Sequence, residues 1–232
     1  MTKTSTGHKR LNILQVYRGI AAILVLLFHL NDMSIQRLKQ VTFFDLFHGG
    51  WSGVDYFFVL SGFIMVYVHR SAIGKPDQLK SFLVKRTVRI YPIYWIITLI
   101  VLAFFLVVPG FANNKDLNIQ QILTSLLLLP QNDPPILDVG WTLIYEMFFY
   151  LLFSIAIWFK PKYSVPILSS WLFVTMLHYL KVINFGGKAF LLNLVFSNMN
   201  IEFVLGCLAG YVVIKFGPKI AKIGGFCLAW QI

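Results

Sequence analysis

Charge is what this chain of 232 residues has least of. Asp, Glu, Lys and Arg together make up 12%, against roughly 25% in a soluble globular domain. That leaves too little polar surface for a water-exposed exterior, and it excludes an ordinary soluble enzyme. Cysteine is almost absent as well. Cys207 and Cys227 lie in or beside apolar segments with no metal or redox spacing, which excludes a disulfide framework and a zinc site and leaves two small buried hydrophobes. His8, His48, His69 and His178 fall near helix ends or in loops, again without the spacing of metal ligands, so no metal site is expected. There is no internal repeat and no low-complexity tract. No small-residue cleavage site follows Leu30, where the chain continues Asn31-Asp32-Met33-Ser34, and this argues against a cleaved signal peptide.

What the chain has instead is apolar length. Hydrophobic residues make up 58% and aromatics 16%, in runs that approach or exceed the roughly 20 residues needed to cross a bilayer. The expected fold class is all-α, a polytopic transmembrane helix bundle of about six spans. The spans run from about Leu11 to Leu30, Trp51 to Tyr67, Pro92 to Val108, Trp141 to Phe159, Val165 to Leu180 and Ile201 to Lys215. Residues 69–91 read as an interfacial amphipathic helix, with Leu79, Phe82, Leu83 and Ile90 on one face and the cations on the other. Pro92 would then open the third span at a first helical position. Ile119–Leu129 is too short to span and reads as re-entrant or interfacial. Ser197–Asn200 interrupts the last apolar region. The net charge of +11 belongs to loops and not to a nucleic-acid interface. Apart from Arg18, fourteen Lys and Arg fall on one side of this layout and five on the other, which puts both termini in the cytoplasm. The cytoplasmic membrane of a bacterium is the expected location.

Ionisable residues at membrane depth are costly, roughly 2.5–3.5 kcal/mol for an arginine on insertion scales, and mark function by default. Arg18 and His29 bracket an otherwise uncharged run, Tyr17 to Leu30. Eleven helical positions return them to one face about 16 Å apart along the axis, too far to touch. They either snorkel to opposite interfaces or serve something that spans the gap. Asp55 in the second span and Glu146 in the fourth lie toward the same leaflet as His29. Either the three form a proton-handling cluster, or Asp55 and Glu146 are interfacial residues that pair with loop lysines. Trp141, Thr142, Tyr145 and Tyr150 flank Glu146. Arg86 and Arg89, three apart, share a helix face at the cytoplasmic surface, a geometry suited to an anion clamp, to lipid headgroups or to topology alone.

The same residues carry a resemblance. Arg18 with His29, Gly53-Val54-Asp55-Tyr56-Phe57-Phe58, Lys85-Arg86-Thr87-Val88-Arg89-Ile90-Tyr91-Pro92, and Trp141-Thr142-Leu143 through Glu146 to Tyr150 occur in the order seen in the membrane-bound acyltransferase family 3. Glu202-Phe203 with Gly206 and Gly210 is a weaker fifth block. The chain resembles that family, which includes polysaccharide O-acetyltransferases, over nearly all of residues 1–232. The resemblance implies transfer of an acyl group, usually acetyl, from acyl-CoA to a carbohydrate hydroxyl. It makes His29 the catalytic base and Arg18 the first-motif arginine on the donor's path, and it makes Arg86 and Arg89 partners for the phosphates of coenzyme A. Glu146 or Asp55 would orient the imidazole or hold the sugar. The implied partners are membrane lipids, acyl-CoA as co-substrate with no permanently bound cofactor, and a carbohydrate or lipid-linked sugar acceptor. Family members have about ten spans, so 1–232 reads as one acyltransferase domain incomplete at its C-terminal end, where Gly225–Ile232 begins another apolar segment. Two other readings are a small transporter or flippase-like protein for lipid-linked sugars, and an inactive remnant.

Overall fold

The computed structural model describes residues 16–29, 31, 52–108, 117–185 and 190–223. Regular structure among them is entirely helical, as the apolar runs require when backbone groups must be satisfied within a segment. The helices are α1 (Val16–His29), α2 (Ser52–His69), α3 (Leu79–Val107), α4 (Ile119–Leu126), α5 (Gly140–Trp158), α6 (Pro161–Tyr179), α7 (Phe190–Val195) and α8 (Met199–Ile223). Single 3-10 turns at Arg70–Ala72 and Pro76–Gln78 join α2 to α3.

Four segments are long and apolar enough to cross a membrane: Ser52–Ala72, Pro76–Val107, Gly140–Trp158 and Phe190–Phe216. The expected fifth span, α6, has the length at 19 residues, but its serines, Pro166 and His178 dilute it below the others. The helical part of the expected first span is the shorter apolar α1, and residues 11–15 lie outside the described residues.

The region after α2 departs from expectation. There is no separate interfacial helix; α3 runs unbroken for 29 residues with Pro92 inside it. Proline lacks the N–H that would bond the Val88 carbonyl, and a membrane helix tolerates such a gap. The face assignment changes too. Phe82, Arg86, Ile90, Tyr94 and Thr98 are all buried, one every four residues. Arg86 therefore lies on the apolar face and not with the other cations.

The short α4 is placed by side chains. Asn118 caps its N-terminus, accepting from the Gln121 N–H at 2.7 Å. At its C-terminal end, three groups on α3 donate to its last carbonyls: Tyr94 Oη to Ser125 O (2.7 Å), Trp95 Nε1 to Leu126 O (2.9 Å) and Tyr91 Oη to Leu127 O (2.8 Å). The break expected at Ser197–Asn200 is present between α7 and α8. Fully buried Asn200 donates to the freed carbonyls of Leu194 (3.0 Å) and Val195 (2.8 Å), and Trp171 Nε1 donates to Val195 O at 3.0 Å.

The chain divides into two compact units, residues 1–68 with 202–232, and residues 69–201. In the first, α8 lies against α2 with no side chain between them. A Cβ built at Gly206 would collide with the Val59 carbonyl, and one at Gly62 with the Phe203 carbonyl. Small residues that admit such an approach are how helices associate in lipid. In the second, α3 and α5 meet through rings, with Phe82 against Tyr150 (6.2 Å between centroids) and against Phe153 (5.6 Å).

Candidate functional site

The second unit buries a cation. Arg86 is 8% exposed and has no ion-pair partner among the described residues. Its Nη2 donates to His69 Nε2 at 2.5 Å. A guanidinium has only donors, so Nε2 must offer its lone pair and the ring proton sits on Nδ1, a tautomer assigned from this bond. The guanidinium also lies over two rings, 5.8 Å from the Phe82 centroid and 5.5 Å from that of Tyr150. Such contacts are worth about 0.5–2 kcal/mol each. His69 stands edge-on to Phe82, 5.0 Å between centroids. Tyr150, itself buried, donates its hydroxyl to Glu146 Oε1. Three separate stretches of the chain thus form one polar thread: His69 at the end of α2, Arg86 on α3, and the Tyr150 ring with Glu146 on α5.

The arginine pair is split by this arrangement. Arg86 faces inward while Arg89 is exposed, although the charges of both reach Tyr150. Four donors of the Arg86 guanidinium have no protein acceptor among the described residues. A cation left this way in a low-dielectric setting attracts an anion strongly.

The first unit holds the other expected residues. Helix α1 includes both Arg18 and His29, so they share a face about 16 Å apart along the axis. Both are half-buried, and the His29 ring stands edge-on to Phe28 at 5.6 Å. Asp55 is half-buried in the first turn of α2. No hydrogen bond joins it to His29 among the described residues. Its carboxylate instead acts electrostatically on Glu202 of α8, whose Oε2 is buried without a hydrogen-bond partner among the described residues.

From the sequence alone His69 is one of several interfacial histidines, Tyr150 a neighbour of Glu146, and Glu202 part of a weak motif. The four-residue spacing of Glu146 and Tyr150 on one helix was a readable signal. The burial of Arg86 was readable from the stripe at 82, 86, 90, 94 and 98. The contact of His69 with a residue in the next helix was not readable from either.

Helices of membrane-crossing length with ionisable groups buried among rings define an integral membrane protein with a polar interior. The chain belongs to the acyltransferase domain family, whose model matches residues 11–230. It is 32% identical, over 194 aligned residues, to the exopolysaccharide production protein ExoZ of Rhizobium meliloti (strain 1021). That match covers 77% of this chain and 59% of the relative, so the chain spans under two thirds of the length of that protein. No solved structure matches the chain.

Proposed function

We propose that the chain is an integral-membrane O-acyltransferase that moves an acyl group, acetyl in the simplest case, from acyl-CoA to a hydroxyl of a cell-envelope carbohydrate. The family match over residues 11–230 supports acyl transfer. The name of ExoZ, an exopolysaccharide production protein, favours a carbohydrate acceptor. The observation that carries the donor assignment is Arg86, a buried cation held by a histidine and two rings with no carboxylate partner among the described residues.

In this reading the phosphates of coenzyme A engage Arg86 and Arg89, and Arg18 adds a third cation along α1. His29 takes the proton of the acceptor hydroxyl as that oxygen attacks the thioester carbonyl. The C–O bond forms, the C–S bond breaks, and the thiolate leaves to be protonated as free coenzyme A. Asp55 and Glu146 orient the imidazole or hold the sugar. Six spans, formed by adding α1 and α6 to the four long apolar segments, put both termini on the cytoplasmic side of a bacterial inner membrane, where acyl-CoA is made.

Transfer of radiolabelled acetyl groups from acetyl-CoA in membranes tests the reading. His29→Ala should lower kcat by about 10²–10⁴-fold, the usual worth of a general base. Wild-type activity in that variant would remove His29 from the mechanism. Tags at residues 1 and 232 should both resist labelling from outside intact cells; labelling of either refutes the six-span topology.

A further inference from the structure

A cavity of about 280 Å³ lies between α4 and the loop that follows it. Its lining is almost wholly polar. Asn118, Gln120, Gln121, Gln131 and Asn132 supply five carboxamides, joined by the Thr124 hydroxyl and the Asp133 carboxylate, with Pro130 the only apolar contributor among the described residues. Ligand pockets are ordinarily lined mostly by apolar side chains, so this lining selects for a different kind of occupant.

The cavity is built and not incidental. Thr124 Oγ1 is 2.6 Å from Gln131 Oε1, and Gln121 Nε2 donates to the Pro134 carbonyl at 2.7 Å, so α4 and the loop are stitched together on both sides of it. Ile136 N donates to Ser125 Oγ at 3.1 Å, fixing the far end of the loop. Gln131 Nε2 is buried with no hydrogen-bond partner among the described residues.

The chemistry of the lining narrows the ligand. Among the described residues no lysine, arginine or histidine contributes, so from these a phosphate would meet Asp133 with nothing to offset it. One carboxylate, the count among the described residues, is too few for a calcium site that takes 6–8 oxygen ligands. A near-absence of apolar surface excludes an acyl chain. A carboxamide presents both a donor and an acceptor, which matches hydroxyl groups that do the same. The volume falls just below the roughly 300 Å³ at which pockets for drug-sized molecules begin, the size for one small neutral polyol.

We propose that this cavity is a subsite for a single neutral sugar residue, and within the acyltransferase reading, on which that role rests, it holds the acceptor. The exposed amides of Gln120 and Asn132 donate to sugar oxygens, while Asp133 accepts from a hydroxyl.

Saturation-transfer NMR on the full chain in detergent micelles, with methyl β-glucoside as the probe, tests this directly. The wild type should transfer saturation to the ring protons, and Gln120→Leu with Asn132→Leu should cut that transfer at least fivefold. Both positions are exposed, so the variant keeps its helical circular dichroism. Asp133→Asn serves as a milder second variant and should retain partial binding. Equal transfer in the wild type and the double variant, or calcium binding without sugar binding, overturns the subsite. In the acetyl-transfer assay, the double variant should raise the acceptor KM about tenfold and leave the acetyl-CoA KM unchanged. Transfer with an unchanged acceptor KM defeats the subsite and spares the acyltransferase reading. Sugar binding lost in the double variant, in a wild type that transfers nothing, supports the subsite and defeats the acyltransferase reading.

Discussion

The two units of this chain bury their helices by opposite means. In the first, α2 and α8 approach until the backbone of one stands where a Cβ of the other would be, at Gly62 and Gly206. In the second, α3 and α5 are held by large side chains, with Phe82, Arg86, Tyr150 and Phe153 interleaved. Lipid removes most of the hydrophobic driving force between helices, leaving packing and hydrogen bonds. The first unit relies on the former at Gly62 and Gly206, while the Asp55 carboxylate of α2 acts on Glu202 of α8. The second relies on side chains that can also bind something, and its buried cation lies within the packing itself. A contact made of glycine is rigid and inert, whereas one made of arginine, histidine and tyrosine can be both structural and functional.

The sharpest way to break that contrast is at the glycine seam. Gly206→Leu should destabilise the first unit by more than about 4 kcal/mol, beyond the 1–3 kcal/mol typical of overpacking, because the obstacle is backbone and cannot swing aside. Gly19→Leu is the control, since nothing lies within 4 Å of its Cβ position, and should change thermal stability in detergent by less than about 0.5 kcal/mol. Equal losses in both would mean that the seam is not what holds α2 to α8.

The polar thread should respond next most strongly. Arg86→Ala removes a charged hydrogen bond and two cation–π contacts, about 2–4 kcal/mol together, and should raise the acetyl-CoA KM at least tenfold. His69→Gln retains an acceptor for the guanidinium and should recover most of the stability that His69→Ala loses. If glutamine does no better than alanine, His69 acts through its ring against Phe82 and not as an acceptor.

The smallest effect belongs to Tyr150→Phe. The ring over Arg86 remains and only the hydroxyl donated to Glu146 is lost, so a cost of about 1–2 kcal/mol is expected. A rise in acceptor KM, with the acetyl-CoA KM unchanged, would put Glu146 on the sugar. The reverse would put it on the donor.

Much of this architecture was legible from residue order. The boundaries of α2 and α5 fall within one or two residues of their apolar runs, because turn residues and charges flank both. The interruption near Ser197 was visible as polar residues in an apolar stretch, and α4 was visibly too short to span. The third helix was misread because Pro92 sits between a cationic half and an apolar half, which imitates a boundary. Proline breaks a hydrogen bond without ending a helix whose neighbours continue it. The candidate site was legible in its residue types and less so in its partners. Arg86 was visible as half of an arginine pair, but its inward direction required the four-residue stripe. The approach of His69 to Arg86 and of Asp55 to Glu202 depends on how separate segments fold back, which no local periodicity encodes.

The position of His69 has a consequence for how the protein is made. A guanidinium cannot shed its charge, so Arg86 needs company from the moment α3 meets the membrane. Its ring partner Tyr150 lies on α5, which leaves the ribosome only after α4 and the polar loop. His69 and Phe82 come before Arg86 in the chain and are already present. The first acceptor for the buried cation is thus synthesised ahead of the cation itself, and α3 can enter lipid with its charge half-sheltered while it waits for α5.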